Sequence, residues 1–153
     1  EIISVGGCYI NCDGGLEVSD LSSSYKSQVF PNRFVPDLCG ICGKQPFGKY
    51  ILFPSQPGSL FDQINSSRDG TKNDDGWFVS SGTSAAAAYV SGLIVLLLCK
   101  RPDLDRKNLK EVLFKCCDNI EKGQTFMKIK ATHNVKDDAS GFGLLDGEKL
   151  FRI

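Results

Sequence analysis

The stretch "WFVSSGTSAAAAYVSGLIVLLLCK" (77–100) sets a cluster of hydroxyls against an almost unbroken apolar run. Three readings compete for it: a core helix, a membrane span, or a helix carrying a reactive serine on its first turn. The apolar part, 85–99, contains Tyr89, Ser91 and Gly92, and falls short of the roughly 20 apolar residues that a membrane span needs. A helix apolar on all sides is instead expected inside a protein core. Its small residues, Ala85 to Ala88, Ser91 and Gly92, let neighbouring backbones come close.

The head of this helix asks for more than packing. Ser80, Ser81, Thr83 and Ser84 supply more hydroxyls than one cap requires, and Gly82 permits a tight approach to the first turn. At that turn free N–H groups and the positive end of the helix dipole converge. A serine there can be held where an oxyanion would be stabilised. An ordinary Ser/Thr cap explains the same spacing, so residues alone leave both readings open. The nucleophile elbow G-x-S-x-G is excluded, because position 86 is Ala.

The rest of the chain bounds the answer. Its 153 residues suit one domain with a real core, 41% hydrophobic and 24% charged. Eighteen basic residues balance 18 acidic ones, so no net field recruits nucleic acid or an anionic membrane. Seven cysteines are an odd number and close no disulfide framework. They fit free thiols in a reducing, cytoplasmic setting. The opening "EIISVGG" reads as a buried strand (2–5) and a Gly6-Gly7 turn, with no signal-peptide features, as if cut from something longer.

Further along, 11–27 reads as loops, 34–43 as one short strand with bends, and 49–54 as a strand stopped by proline. Residues 58–76 read as a polar excursion with a helical turn near 60–64. A helix over 84–99 follows, and Asp105 caps another, in which Leu109, Val112, Leu113 and Cys116 recur at helical spacing. Residues 122–140 read as a hairpin or loop, and 141–151 as a turn or strand leading into a short helix. Interleaved strands and helices predict an α/β layered fold.

Other clusters invite chemistry. Cys39 and Cys42 form a C-x-x-C, and Cys8 with Cys12 adds a second pair, a pattern open to a four-cysteine zinc site, a dithiol redox centre, or plain thiols. "DGTKNDDG" (69–76) is not an EF-hand loop, since Asp74 stands where that loop needs Gly. Adjacent Asp74 and Asp75 suit a turn better than paired acid/base work. His133, the only histidine, lies in the polar segment "KIKATHNVKDD" and reads as a surface residue.

"SGTSAAAAYVSG" (81–92) resembles the serine motif of the subtilisin-like proteases (subtilases), S-G-T-S-x-A-x-P-x-x-x-G. Ser81, Gly82, Thr83, Ser84, Ala86 and Gly92 match, and Ala88 stands where the family has Pro. "PDLDRKNLKEVLFKCCDNI" (102–120), "GFGLLDGEKL" (141–150, with Gly147 where Ala is common), "EIISVGGCY" (1–9) and "VPDLCGICG" (35–43) resemble family segments in the family's order. The resemblance implies a three-layer fold with a mainly parallel sheet, of which 1–153 would be the C-terminal portion of the catalytic domain. It implies a serine endopeptidase acting on peptides or proteins, without cofactor or metal. Ser84 would be the nucleophile and its N–H an oxyanion donor, supported by Gly82 and Thr83. The family's Asp, His and oxyanion Asn would all come from an upstream half, which makes His133 a poor base and the isolated chain inactive. A catalytically dead binding module and a small zinc domain held by four cysteines are the alternatives.

Overall fold

The computed structural model describes residues 2–30, 32–132 and 134–153. A sheet of mainly parallel strands forms its centre. Strand β1 (Val5–Ile10) pairs in parallel with β5 (Leu38–Ile41), and β5 with β10 (Leu144–Leu145). On the other side β2 (Leu16–Val18) returns antiparallel to β1 and is joined in parallel by β9 (Lys122–Gly123). The antiparallel β8 (Cys117–Asp118) closes the far edge beside β10. A short ladder of β3 (Tyr25–Lys26) and β4 (Phe34–Val35) and a hairpin of β6 (Ile51–Pro54) and β7 (Trp77–Ser80) stand apart. The α/β expectation is met.

Helices cover one face. Helix α2 (Thr83–Lys100) lies across β1 and β5, while α3 (Arg106–Lys115) and α4 (Gly147–Phe151) flank it. Leu38, Val90, Leu97, Leu113, Leu145 and Leu150 form the cluster between them. On the opposite face Cys8, Val18, Cys39, Ile120 and Ala139 pack under irregular chain that includes Ile129 and Ala131. Asp105 caps α3 by accepting from the Asn108 N–H at 2.8 Å, as its position predicts.

Gly6 and Gly7 lie within β1 rather than in a turn. Gly7 stands opposite Gly40 of β5, and both face α2. A Cβ on Gly40 would lie 2.6 Å from the Ala86 carbonyl oxygen, and one on Gly7 would lie 2.8 Å from Cys42 Sγ and 3.1 Å from Thr83 Cγ2. The two glycines are therefore a notch into which the first turns of α2 sink. At the other end of the helix, a Cβ on Gly147 would lie 3.2 Å from Leu93 Cδ2, so the small residue there eases the approach of α4.

Two expectations need correcting. Helix α1 (Leu60–Asp69) runs 10 residues, well beyond one turn, because Ser59 caps it and Gly70 ends it in the left-handed conformation. Helix α2 is not enclosed on all sides. Only Ala86, Val90 and Leu97 are buried, because the sheet meets one face and no layer of described residues covers the other, where Val95 and Leu96 are 59% and 56% exposed. At 18 residues and mean hydropathy 1.7 it is also long and apolar enough to cross a membrane by length and composition, so shortness does not exclude a span. What the structure gives is a helix lying against a sheet.

Asp37 ties the chain entering β1 to the turn before β5. It accepts from the Ser4 N–H at 2.8 Å and is held in a two-pronged pair by Arg33, with Nη2 2.7 Å from Oδ2. Burial works to raise its pKa, but the Arg33 and Ser4 hydrogen bonds outweigh it and hold the carboxyl below its usual value.

Gly40→Ala should cost roughly 1–3 kcal/mol by denaturant titration, because it pushes α2 off the sheet. Gly92→Ala, with nothing within 4 Å, should instead stabilise by up to about 1 kcal/mol. A folded pKa below the unfolded value makes the Asp37 contribution complete above pH 3.8 and lost as pH falls further. The stability gap between the protein and Asp37→Asn should accordingly be widest near neutral pH and shrink in acid.

Candidate active site

Strand β7 delivers the chain to the first turn of α2. The Gly82 N–H donates to the Cys42 carbonyl at 2.8 Å, so the helix starts where β5 ends. Ser81 Oγ accepts from the Gln45 N–H at 3.1 Å, which commits that hydroxyl to holding the neighbouring loop. Gly82 is the N-cap residue, at φ 158° and ψ 154°, and no side chain caps the helix. Thr83 and Ser84 thus occupy the first two helical positions, and the ordinary-cap reading of the serine cluster does not describe this turn.

Ser84 is exposed, and its hydroxyl makes no hydrogen bond to a described residue. The N–H groups of Thr83 and Ser84 likewise find no acceptor among the described residues. Ala85 and Ala86 donate back to the Gly82 carbonyl, at 3.1 and 3.4 Å. Free donors and the positive helix end therefore surround an accessible hydroxyl, an arrangement able to hold developing negative charge beside it. Nothing lies within 4 Å of where a Cβ on Gly82 would stand, so the approach to this turn is open.

A cavity of about 410 Å³ opens beside Ser84, lined among others by Phe53, Phe78, Ser81, Ala85 and Ala88. Phe53 and Phe78 come from opposite positions on the β6–β7 hairpin and were missed by sequence reasoning. Neither "ILFP" nor "WFVS" alternates apolar with polar residues, and a whole helix separates them, so no local signal pairs the two rings. Sequence reasoning also missed Ser22, buried in a stretch read as loop, whose Oγ accepts from the Gly7 N–H at 3.0 Å beneath the helix.

No described side chain hydrogen-bonds Ser84 Oγ, and His133 lies outside the described residues. The zinc alternative built on Cys8, Cys12, Cys39 and Cys42 is corrected: among the described residues no three ligating side chains come together. Cys12 is exposed against the Phe47 carbonyl, while Cys8 donates to Gly40 O and Cys39 to Ser140 O. Burial, first of all, pushes the Cys8, Cys39 and Cys42 thiols up, away from thiolate chemistry. In the acidic loop, Asp75 accepts from Lys72 and Trp77 N–H groups and Asp69 from Val79 N–H, so these carboxylates brace turns.

No family model and no curated protein sequence matches this chain. Among solved structures it is similar to fervidolysin from Fervidobacterium pennivorans, described as a keratinolytic enzyme related to subtilisin, at 18% identity and TM-score 0.70. That match covers 99% of this chain and 19% of that one. It is also similar to a lanthipeptide protease (16% identity, TM-score 0.67, covering 98% of this chain and 40% of that one). Sphericase follows at 21% identity and TM-score 0.61, with 94% and 39% covered. The chain thus has a subtilase-like α/β fold, and it spans well under half the length of these chains.

In the folded protein a thiol reagent should modify the exposed Cys12 and Cys99 rapidly, and the buried Cys8, Cys39 and Cys42 only on unfolding. All seven should react in denaturant, as a timed absorbance assay would read.

Proposed function

We propose that this chain carries the nucleophile segment of a subtilisin-like serine endopeptidase. Ser84 Oγ attacks the substrate carbonyl and forms an acyl-enzyme, which water then hydrolyses. The Ser84 N–H, free of any described acceptor at the open end of α2, supports the oxyanion. Gly82 and Thr83 set that turn: Gly82 through its bond to Cys42, Thr83 through its packing over Gly7. The observation that carries this reading is the exposed, uncommitted Ser84 on an uncapped helix start within a subtilase-like fold.

A serine hydroxyl is a weak nucleophile until a base takes its proton. We assign that base to a histidine in a part of the polypeptide preceding residue 1, with an Asp to orient it and an Asn to complete the oxyanion hole. The substrate is a peptide or protein, with no nucleic acid or membrane partner. The lack of any described partner for Ser84 Oγ also favours a second reading, a subtilase-like module that binds without cleaving. An upstream sequence lacking Asp or His would select it.

A fluorophosphonate probe separates these readings. The isolated 153 residues should remain unlabelled, whereas a polypeptide that includes the upstream part should be labelled at Ser84. Ser84→Ala should abolish the label and lower kcat by on the order of 10⁶, as loss of the nucleophile does in subtilisin. Stoichiometric labelling of the isolated chain would refute the missing-base account.

A further inference from the structure

At the outer edge of the sheet a second cavity, of about 550 Å³, opens between α3, β8 and the chain that leads into β10. It shares no lining residue with the cavity beside Ser84, and β10 stands between β8 and β5. Its volume is that of a small-molecule site. Phe114 of α3 and Phe142 form one wall, stacked at 4.2 Å between centroids and 13° between planes. Each ring therefore covers one face of the other. Lys110 Nζ lies over Phe114 at 5.9 Å and Lys136 Nζ over Phe142 at 5.2 Å, so ammonium groups take the outer faces. What the stack turns to the cavity is its ring edges, the electropositive part of an aromatic ring.

Cys117 and Val135 continue the apolar lining. Burial, first of all, pushes the Cys117 thiol up to about 12, and its Sγ donates to the Leu113 carbonyl, so it is a neutral wall and not a thiolate. Charge is unevenly divided at the mouth. Lys115 lines it and Lys110 and Lys136 flank it, against the lining carboxylate of Glu111. Neither Lys115 nor Lys136 forms an ion pair with a described residue. We propose that this cavity binds a flat aromatic carboxylate, with the face of its ring against the edges of Phe114 and Phe142 and its carboxylate toward the lysines. Long lysine stems let the ammonium groups reach the carboxylate while it stays partly in water. A neutral analogue keeps the apolar contacts and loses the charge contact, and an aromatic cation meets like charge. The inference goes beyond the reading of Ser84 as nucleophile and does not depend on it.

The ¹⁵N-labelled chain, all 153 residues, is titrated with naphthoate, naphthamide, naphthylmethylammonium and acetate while backbone amide shifts are followed. Naphthoate should move the amides of Phe114, Cys117 and Phe142 at concentrations roughly tenfold below those of the other three. Its lead over naphthamide should narrow as salt rises, because exposed charges are screened. Joint replacement by Lys115→Gln and Lys136→Gln should make naphthoate and naphthamide bind alike. Val135→Asp, at a position 79% exposed, should keep the folded spectrum and weaken naphthoate by roughly tenfold, since it sets a second carboxylate in the mouth. Shifts that map elsewhere, naphthoate binding no tighter than naphthamide, or naphthoate binding unchanged in folded Val135→Asp overturns the site.

Discussion

The whole arrangement depends on the closeness with which α2 approaches the sheet. Gly7 and Gly40 lie side by side on the two central strands, and the Ala86 carbonyl stands where a Gly40 side chain would be. That contact sets the height of the first turn of α2 above β1 and β5. The Gly82–Cys42 hydrogen bond then sets its position along the sheet. Together they place Ser84 just beyond the C-terminal end of β5, the end at which open α/β sheets bind ligands.

The opposite face serves the same end through polar contacts. Asp137 accepts from the Thr132, Ala139 and Ser140 N–H groups at 2.6–2.9 Å, which folds the irregular chain onto the sheet. At φ 62°, Gly141 passes so near the Asp37 carbonyl that a side chain there would stand 2.2 Å from it. Asp37 in turn holds Ser4 and Arg33. With one face pinned by hydrogen bonds and the other by leucines, β1 and β5 offer α2 a fixed floor. Rigidity of this kind fixes the backbone that carries Ser84.

Much of this was legible in the residues, for identifiable reasons. The start of α2, the Asp105 cap and the strand-to-helix ending at 144–151 announce themselves by local chemistry: hydroxyls, a capping carboxylate, helical spacing. Gly6-Gly7 was misread because a glycine that admits a neighbour and a glycine that turns the chain look alike until that neighbour is known. Helix α1 was mostly hidden because its sequence is polar and its caps, not an apolar stripe, hold it. The burial of α2 was over-read, since all-round hydrophobicity says what a helix can be buried by, not how many layers cover it. Phe53 and Phe78 could not be joined by inspection because a hairpin with a whole helix inside its loop brings them together.

The path of the chain between β5 and α2 has one more consequence. It departs after Cys42, builds β6, α1 and β7, and returns to Gly82, whose N–H meets the Cys42 carbonyl at 2.8 Å. Asp62 knits this excursion internally, accepting from Ser55 Oγ and from the Gly58 and Gly76 N–H groups. A segment whose two ends touch behaves as a cassette. Lengthening, trimming or exchanging it costs little closure entropy and leaves the floor under α2 unchanged. The cassette can therefore be rewritten alone, with Ser84 and the first turn of α2 fixed in place.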